Sequence, residues 1–192
     1  MKNALILLAG GKGERFNKGS KGIPKQFIKA GKNNLIEYFL SNLEEKIFDI
    51  IVIVTQNINV KKYLPQLNKK FPQHKISFSK AGTNRQLSVK YGLNHLKKYN
   101  PSNVLIHDSV RPLVTNKLIK KQINFLKKNF SCIPFVINND LKKNKIKKNI
   151  IEEKQLIYIQ TPQAFKYKVI LKAHQNRKLK YYRDDSTLLD KL

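Results

Sequence analysis

Apolar residues fall in short runs whose period changes along the chain. DIIVIVT, Asp49–Thr55, is continuous and β-branched, the pattern of a strand covered on both faces. Asn3–Ala9, Lys75–Ser79, Asn103–Asp108, Ser131–Ile137 and Gln155–Gln160 read as further strands. Between them the spacing turns helical: Leu35, Ile36, Phe39, Leu40 and Leu43 share one side of Leu35–Lys46. Helices are also expected over Ile58–Phe71 (interrupted near Pro65), Thr83–Tyr99 with Thr83 as N-cap, Thr115–Asn129 and Tyr167–Leu179. Gly10–Gly31 reads as a long loop. Asn138–Lys154 is polar and breaks the rhythm; it is either a plain loop or an arm that pairs with another subunit.

A strand and a helix alternate about every 25 residues. That order predicts an α/β fold, a mostly parallel sheet between two helical layers. Such sheets bind ligands outside the carboxyl ends of their strands. Three unusual stretches lie at such ends: Gly10–Lys25, Gly82–Ser88 and Asp108–Pro112.

Length and composition narrow the class. The 192 residues, 41% of them hydrophobic, suit one domain, 1–192, with a real core. No apolar run reaches the ~18 residues of a membrane span, and the N-terminal run is too short for a signal peptide; a cytoplasmic location without membrane attachment is expected. Cys132 is the single cysteine, which excludes an internal disulfide; it lies in a strand-like segment as an inert thiol. The histidines, 74, 95, 107 and 174, have no zinc-ligand spacing. Net charge is +27, yet 34 of the 39 basic residues are Lys. Readers of nucleic acid lean on the forked contacts of Arg, so a Lys-coated, solvated surface is the expectation and a polynucleotide partner the competing one.

The first of the three stretches, LLAGGKGERFNKGSKGIPKQF, is rich in Gly and Lys. Phe16 stands where a dinucleotide fingerprint needs its third glycine, and Lys18-Gly19-Ser20 has the P-loop letters in the wrong order. What remains is Gly10-Gly11-Lys12-Gly13-Glu14-Arg15 followed by Pro24-Lys25-Gln26. Backbone N–H groups in such a loop can ring a phosphate chain, with Arg15 and Lys25 neutralising it from two sides.

AGTNRQLSVKYGL (Ala81–Leu93), VLIHDSVRP (Val104–Pro112) and QTPQAF (Gln160–Phe165) follow in order. Together with the glycine loop they make the chain, from Ala4 to about Leu189, resemble the 2-C-methyl-D-erythritol 4-phosphate cytidylyltransferases and the wider group of polyol-phosphate cytidylyltransferases. The resemblance implies a Rossmann-like nucleotidyltransferase fold, CTP and Mg²⁺, and a homodimer joined by an arm at about 138–155. It implies that Arg15 and Lys25 are catalytic, stabilising transition-state charge and the leaving pyrophosphate. Gly10, Gly11 and Gly13 would wrap the triphosphate, and Gly82, Arg85 and Ser88 would border cytosine and ribose. Asp108 would hold Mg²⁺, and Arg111, Thr161, Asp140 and Arg183 would meet the acceptor. Three of five arginines fall in these motifs, as a geometric need for guanidinium predicts.

Departures concentrate on the acceptor side. Asn139-Asp140 replaces the family's usual Asp-Thr, Glu152-Glu153 occupies the place of an arginine, and Arg183-Asp184-Asp185 replaces Thr-Asp-Glu or Thr-Asp-Asp. Lys142, Lys143, Lys145, Lys147, Lys148 and Arg183 are candidates for the missing charge. The family's late lysine lies beyond Leu192, so the expectation is one part of a longer or two-function polypeptide, or a clipped product. The acceptor is expected to be 2-C-methyl-D-erythritol 4-phosphate, the alternatives being another polyol phosphate such as ribitol 5-phosphate, a nucleic-acid-binding protein, or an inactive paralogue that keeps CTP binding.

Overall fold

A computed structural model describes residues 1–11, 24–56, 60–137, 142–143, 150–151, 157–175, 182 and 184–189. The strands are β1 (Asn3–Leu8), β2 (Lys29–Ala30), β3 (Asn33–Asn34), β4 (Ile50–Thr55), β5 (Ile76–Lys80), β6 (Asn103–Asp108), β7 (Ser131–Cys132), β8 (Phe135–Ile137), β9 (Lys142–Lys143), β10 (Ile150–Ile151), β11 (Ile157–Ile159) and β12 (Gln163–Lys166). The helices are α1 (Leu35–Asn42), α2 (Val60–Lys70), α3 (Arg85–Leu96), α4 (Asn116–Phe125), α5 (Tyr167–Gln175) and the short α6 (Ser186–Leu189), with a 3-10 turn at Lys25–Phe27. Among the described residues no helix is long and apolar enough to cross a membrane.

Six strands form one sheet in the order β5-β4-β1-β6-β12-β7. β5, β4, β1 and β6 run parallel; β12 is antiparallel to both neighbours. The expected mostly parallel α/β sheet is therefore present, with one reversed strand that QTPQAF had not announced. Side chains alternate across the sheet as the strand period demands. Leu5, Leu7, Ile51 and Ile53 face α1, α2 and α4 through Phe39, Leu67 and Ile119. Ala4, Ile6, Ile50, Val52 and Val54 face α3 and α5 through Val89, Leu93 and Ile170. From β1 the chain steps outward to β4 and β5, then returns to β1's other side with β6. The cleft at the carboxyl ends of β1 and β6 is thus the topological switch point.

Several local expectations change for identifiable reasons. α1 starts at a reciprocal cap: Asn34 Oδ1 accepts from Glu37 N at 3.0 Å and Glu37 Oε2 from Asn34 N at 3.1 Å. α2 runs through Pro65; a proline near the first turn forfeits one backbone bond, and Leu67 stays buried in the core. α3 is capped by Asn84, whose Oδ1 accepts from Leu87 N at 2.9 Å, and not by Thr83. α4 is capped by Thr115, the first residue of the expected helix, but ends early, because Lys127 and Lys128 bond three residues back as in 3-10 turns.

Ser131–Ile137 is two strands, not one. β7 pairs with β12 in the main sheet, while β8 pairs with β11, antiparallel, outside it. Pro134 lies at the break; it cannot donate to a ladder, and its carbonyl accepts from Gln160 N at 2.8 Å. The arm therefore has its base at Phe135 and Ile159, outside the expected 138–155, and β9 pairs with β10 further along it.

Candidate active site

The site begins where β1 ends. Ala9 N donates to Val54 O at 2.8 Å and Ala81 N to Thr55 O at 3.0 Å, which brings the loops after β1, β4 and β5 side by side. They come so close that a Cβ on Gly10 would overlap that of Ala81. Gly82 is equally confined: a Cβ there would strike Leu87's side chain and lie 2.9 Å from its carbonyl carbon. These two glycines let backbones meet, whereas a Cβ on Gly11 would meet nothing within 4 Å among the described residues. On the far side Ser109 clips β6 to β1, its N and Oγ donating to Leu8 O at 3.0 and 2.7 Å.

A pocket of about 520 Å³ opens above this junction. Its cations are Lys25 and Arg85, its carboxylate is Asp108, and backbone from Gly10–Gly11 and Gly82–Asn84 fills the wall between them. The N-terminus of α3 enters the lining through Asn84, Arg85 and Ser88, so the helix dipole favours an anion here. Lys25 arrives by way of Gln26, 4% exposed, whose Nε2 donates to Ala9 O at 2.6 Å and Gly11 O at 3.3 Å. That amide ties the far end of the glycine loop to its start. Sequence reading gave Gln26 no task; a polar residue between Lys25 and Phe27, two after Pro24, was the available signal.

Of the residues expected at the site, Gly10, Gly11, Lys25, Gly82, Arg85, Ser88 and Asp108 all line this pocket. Arg111 and Thr161 stand beside it, joined through Asp108. Gly13, Arg15, Asp140 and Arg183 lie outside the described residues, as does most of the arm. Ser88's hydroxyl is internally engaged, accepting from Gly82 N at 3.0 Å and donating to Asn84 O at 2.8 Å; it shapes the turn that borders the pocket.

Asp108 sits between two guanidiniums, Oδ1 3.9 Å from Arg85 Nε and Oδ2 3.5 Å from Arg111 Nε. Both contacts are loose. Arg85 is bound more tightly on its other side by Asp185, whose second oxygen is 3.0 Å from His174 Nε2. Burial acts to raise the Asp185 carboxyl, but the hydrogen bond from His174 and the charge of Arg85 outweigh it and hold the group below the usual carboxylate range. Burial likewise opposes the charge on Arg85, and Asp185 and Asp108 together hold its pKa above the ordinary value. Arg85 Nη2 is buried without a hydrogen-bond partner among the described residues, a donor that a bound ligand would satisfy. Sequence reading assigned Arg85 but missed Asp185 and His174, whose partner is 100 residues away in the case of Arg85–Asp185.

No group of three or more His, Cys, Asp or Glu gathers among the described residues. A single carboxylate suits Mg²⁺ that arrives on phosphate oxygens and keeps some of its water; Asp108, loosely paired and in the pocket, is the residue here that fits.

His107, fully buried, supports this corner from below. Its Nε2 is 2.9 Å from the Arg111 carbonyl, which can only accept, so Nε2 carries the proton. Nδ1 then accepts from Thr161 Oγ1 at 2.9 Å, and Thr161 Oγ1 accepts from Asp108 N at 3.4 Å. Thr161 thus orients Asp108 and His107 with its hydroxyl. Gln160 completes the set by accepting from Arg111 Nη1. Burial, reinforced by the Arg111 charge against a smaller opposing hydrogen bond, pushes His107 down from 6.5 to about 4. A depressed histidine contributes stability that is full above its unfolded pKa and lost as pH falls toward its folded one. Between about pH 7 and about pH 5 the loss expected from this residue is about 2 kcal/mol. Urea unfolding at both pH values should show it, and His107→Asn, which cannot titrate, should flatten that slope; an equal slope in the variant would remove His107 as the cause.

Comparison with known proteins matches this geometry. A sequence model of the 2-C-methyl-D-erythritol 4-phosphate cytidylyltransferase family matches residues 3–192. A protein of that name from Thermosipho melanesiensis is 33% identical over 97% of this chain and 83% of its own length. The bifunctional enzyme IspD/IspF of Pelagibacter ubique is 32% identical over 98% of this chain, which spans 49% of that longer protein. The crystal structure of 4-diphosphocytidyl-2C-methyl-D-erythritol synthase from Anaerococcus prevotii superposes with a TM-score of 0.80 at 26% identity, covering 98% of this chain and 81% of the other. Fold, pocket and these likenesses converge on one assignment: the chain belongs to the 2-C-methyl-D-erythritol 4-phosphate cytidylyltransferase family, a group of nucleotidyltransferases.

Proposed function

We propose that the pocket binds CTP and transfers its cytidylyl group to the phosphate of 2-C-methyl-D-erythritol 4-phosphate, releasing pyrophosphate. The observation that carries the reading is the lining itself: two glycine backbones, the start of α3, Lys25, Arg85 and Asp108 converge on one cavity of about 520 Å³. A phosphate oxygen of the acceptor attacks the α-phosphorus in line as the bond to pyrophosphate breaks. No protein nucleophile is needed. The protein positions the reactants and holds the charge that grows on the non-bridging oxygens.

Lys25 neutralises the triphosphate from one flank, and Arg15, with Gly13, is assigned to the other. Gly10 and Gly11 offer backbone to the phosphates. Gly82, Arg85 and Ser88 border the nucleoside, Ser88 by setting the turn. Asp108 is the residue that would hold Mg²⁺, which when bound supplies charge neutralisation at the phosphates. Arg111 is placed for the acceptor phosphate, with Thr161 fixing its neighbours; Asp140 and Arg183 are assigned to the same acceptor.

The protein works as a cytoplasmic homodimer joined through the arm. Support comes from the base of the arm, where Phe135, Val136, Ile137, Ile157 and Ile159 are exposed side by side on β8 and β11. An exposed apolar patch of this kind marks an interaction surface.

One experiment tests the reading. Pyrophosphate release is measured with CTP, Mg²⁺ and a panel of acceptors, alongside the thermal shift given by CTP·Mg²⁺ and by short DNA. Release with methylerythritol phosphate, a CTP-specific shift and elution as a dimer are expected. Release with ribitol 5-phosphate alone would move the assignment to that acceptor. Stabilisation by DNA and not by CTP, falling steeply with salt, would replace the reading with the nucleic-acid one.

A further inference from the structure

Arg85 is the pocket residue whose placement depends on parts of the chain far from it. Its guanidinium reaches two carboxylates of unequal reach: Asp185 in direct contact, and Asp108 with Oδ1 3.9 Å from Nε. Asp185 is 1% exposed and is braced from behind by His174 of α5 at 3.0 Å. The preceding Asp184 accepts from Gln163 of β12 and from Ser186 N, the latter at 2.8 Å. Leu188, 1% exposed, anchors the same segment in the core beside α3 and α5. Asp185 is therefore a fixed charge, buttressed on three sides, pulling on a side chain that lines the pocket.

The geometry points to Asp185 as a positioning residue that acts through Arg85: it holds the guanidinium off Asp108 and so keeps that carboxylate, the one in the pocket lining among the described residues, open to the nucleotide complex. This rests on the CTP reading above. The physical reason is competition. At such separations attraction between opposite charges rises steeply as water is excluded. With Asp185 charged, Arg85 is neutralised from the rear and its contact to Asp108 stays long. With that charge gone, Asp184 stays engaged by Gln163 and Ser186, Asp108 is the pocket carboxylate left for Arg85 to close on, and a closed Arg85–Asp108 pair would cover the oxygen that a hydrated Mg²⁺·phosphate group needs.

The test is a double-variant cycle read by calorimetric binding of CTP with Mg²⁺ and by thermal unfolding. Wild type is measured first; if it does not bind CTP, the functional reading fails and this inference falls with it, a result separate from those that follow. Asp185→Asn keeps the side chain's size and removes its charge. CTP binding is expected to weaken about tenfold, the scale on which outer residues that orient a binding group act at metal sites. Arg85→Gln weakens CTP binding by itself. In Arg85→Gln/Asp185→Asn the second change should add less than about twofold, because the two residues act as one unit. Asp185→Asn binding CTP as wild type does, or an undiminished Asp185→Asn effect on the Arg85→Gln background, would overturn the proposal. If Asp185→Asn alone does not fold, the double variant decides. Its folding would show that an uncompensated Arg85 was the fault and support the link; its failure to fold would give Asp185 a role independent of Arg85 and refute it.

Discussion

Lys25→Ala is expected to lower kcat by at least ~100-fold, the scale of losing a major charge-stabilising donor. The argument starts from placement. Lys25 opens the 3-10 turn Lys25–Phe27, next to Gln26, which is fastened to Ala9 and Gly11. That fastening holds the backbone next to Lys25 close to Gly11, and Lys25 lines the same pocket as Gly10 and Gly11. A cation fixed there before substrate arrives needs no reorganisation as charge builds on the phosphates. KM for CTP should rise less than kcat falls, since the interaction strengthens as charge develops. Gln26, which ties this turn to Ala9 and Gly11, is untouched by the substitution, so the variant should keep its fold. A purified, folded Lys25→Ala protein with turnover close to wild type would refute the catalytic role.

Asp108→Asn should abolish or nearly abolish turnover while leaving the fold intact. The isosteric amide keeps an oxygen toward Arg85 or Arg111, and the two ion pairs it replaces are long and partly exposed. Pairs of that sort contribute about 0–1 kcal/mol, so the thermal midpoint should hardly move. What changes is the charge presented to the nucleotide complex. Neutralising the pocket's carboxylate removes the hard oxygen ligand a phosphate-borne Mg²⁺ would meet, and turnover should drop by about 100-fold or more. Titration of Mg²⁺ at fixed CTP checks it. An unchanged metal curve with normal kcat would show that Asp108 only balances the two arginines.

How much of this was legible beforehand follows from the range of the forces involved. Strands buried on both faces announce themselves by composition, so β1, β4 and β6 were found within a residue of their ends. The helix at α4 was expected from Thr115, which turns out to be its cap. Asn84 was misassigned to its neighbour Thr83 because adjacent residues both satisfy the cap pattern. β12 was missed since a four-residue strand, Gln163–Lys166, has too little pattern of its own; its place is set by β6 and β7 on either side. The break at Pro134 could have been read from the proline alone. At the site, the motif residues Gly10, Gly11, Lys25, Gly82, Arg85, Ser88 and Asp108 line one pocket. Those acting through others stayed hidden: Gln26 works by holding two carbonyls, His107 through Thr161, and Asp185 through Arg85. Such partnerships join residues up to 100 positions apart and leave no periodic trace.

The reversed strand β12 has a consequence for biosynthesis. β6 pairs on one side with β1 and on the other with β12, and its residues Val104, Leu105 and Ile106 are apolar and fully buried. During translation, everything needed for β6 to dock on β1 has emerged more than fifty residues before Gln163 does, and in that interval a naked ladder of amides beside Val104–Ile106 faces solvent or a chaperone. The arm is the detour that lengthens this exposure. Stop codons or slow codons between Ser131 and Gln163 would therefore be expected to cost soluble yield far more than comparable events after Gln175.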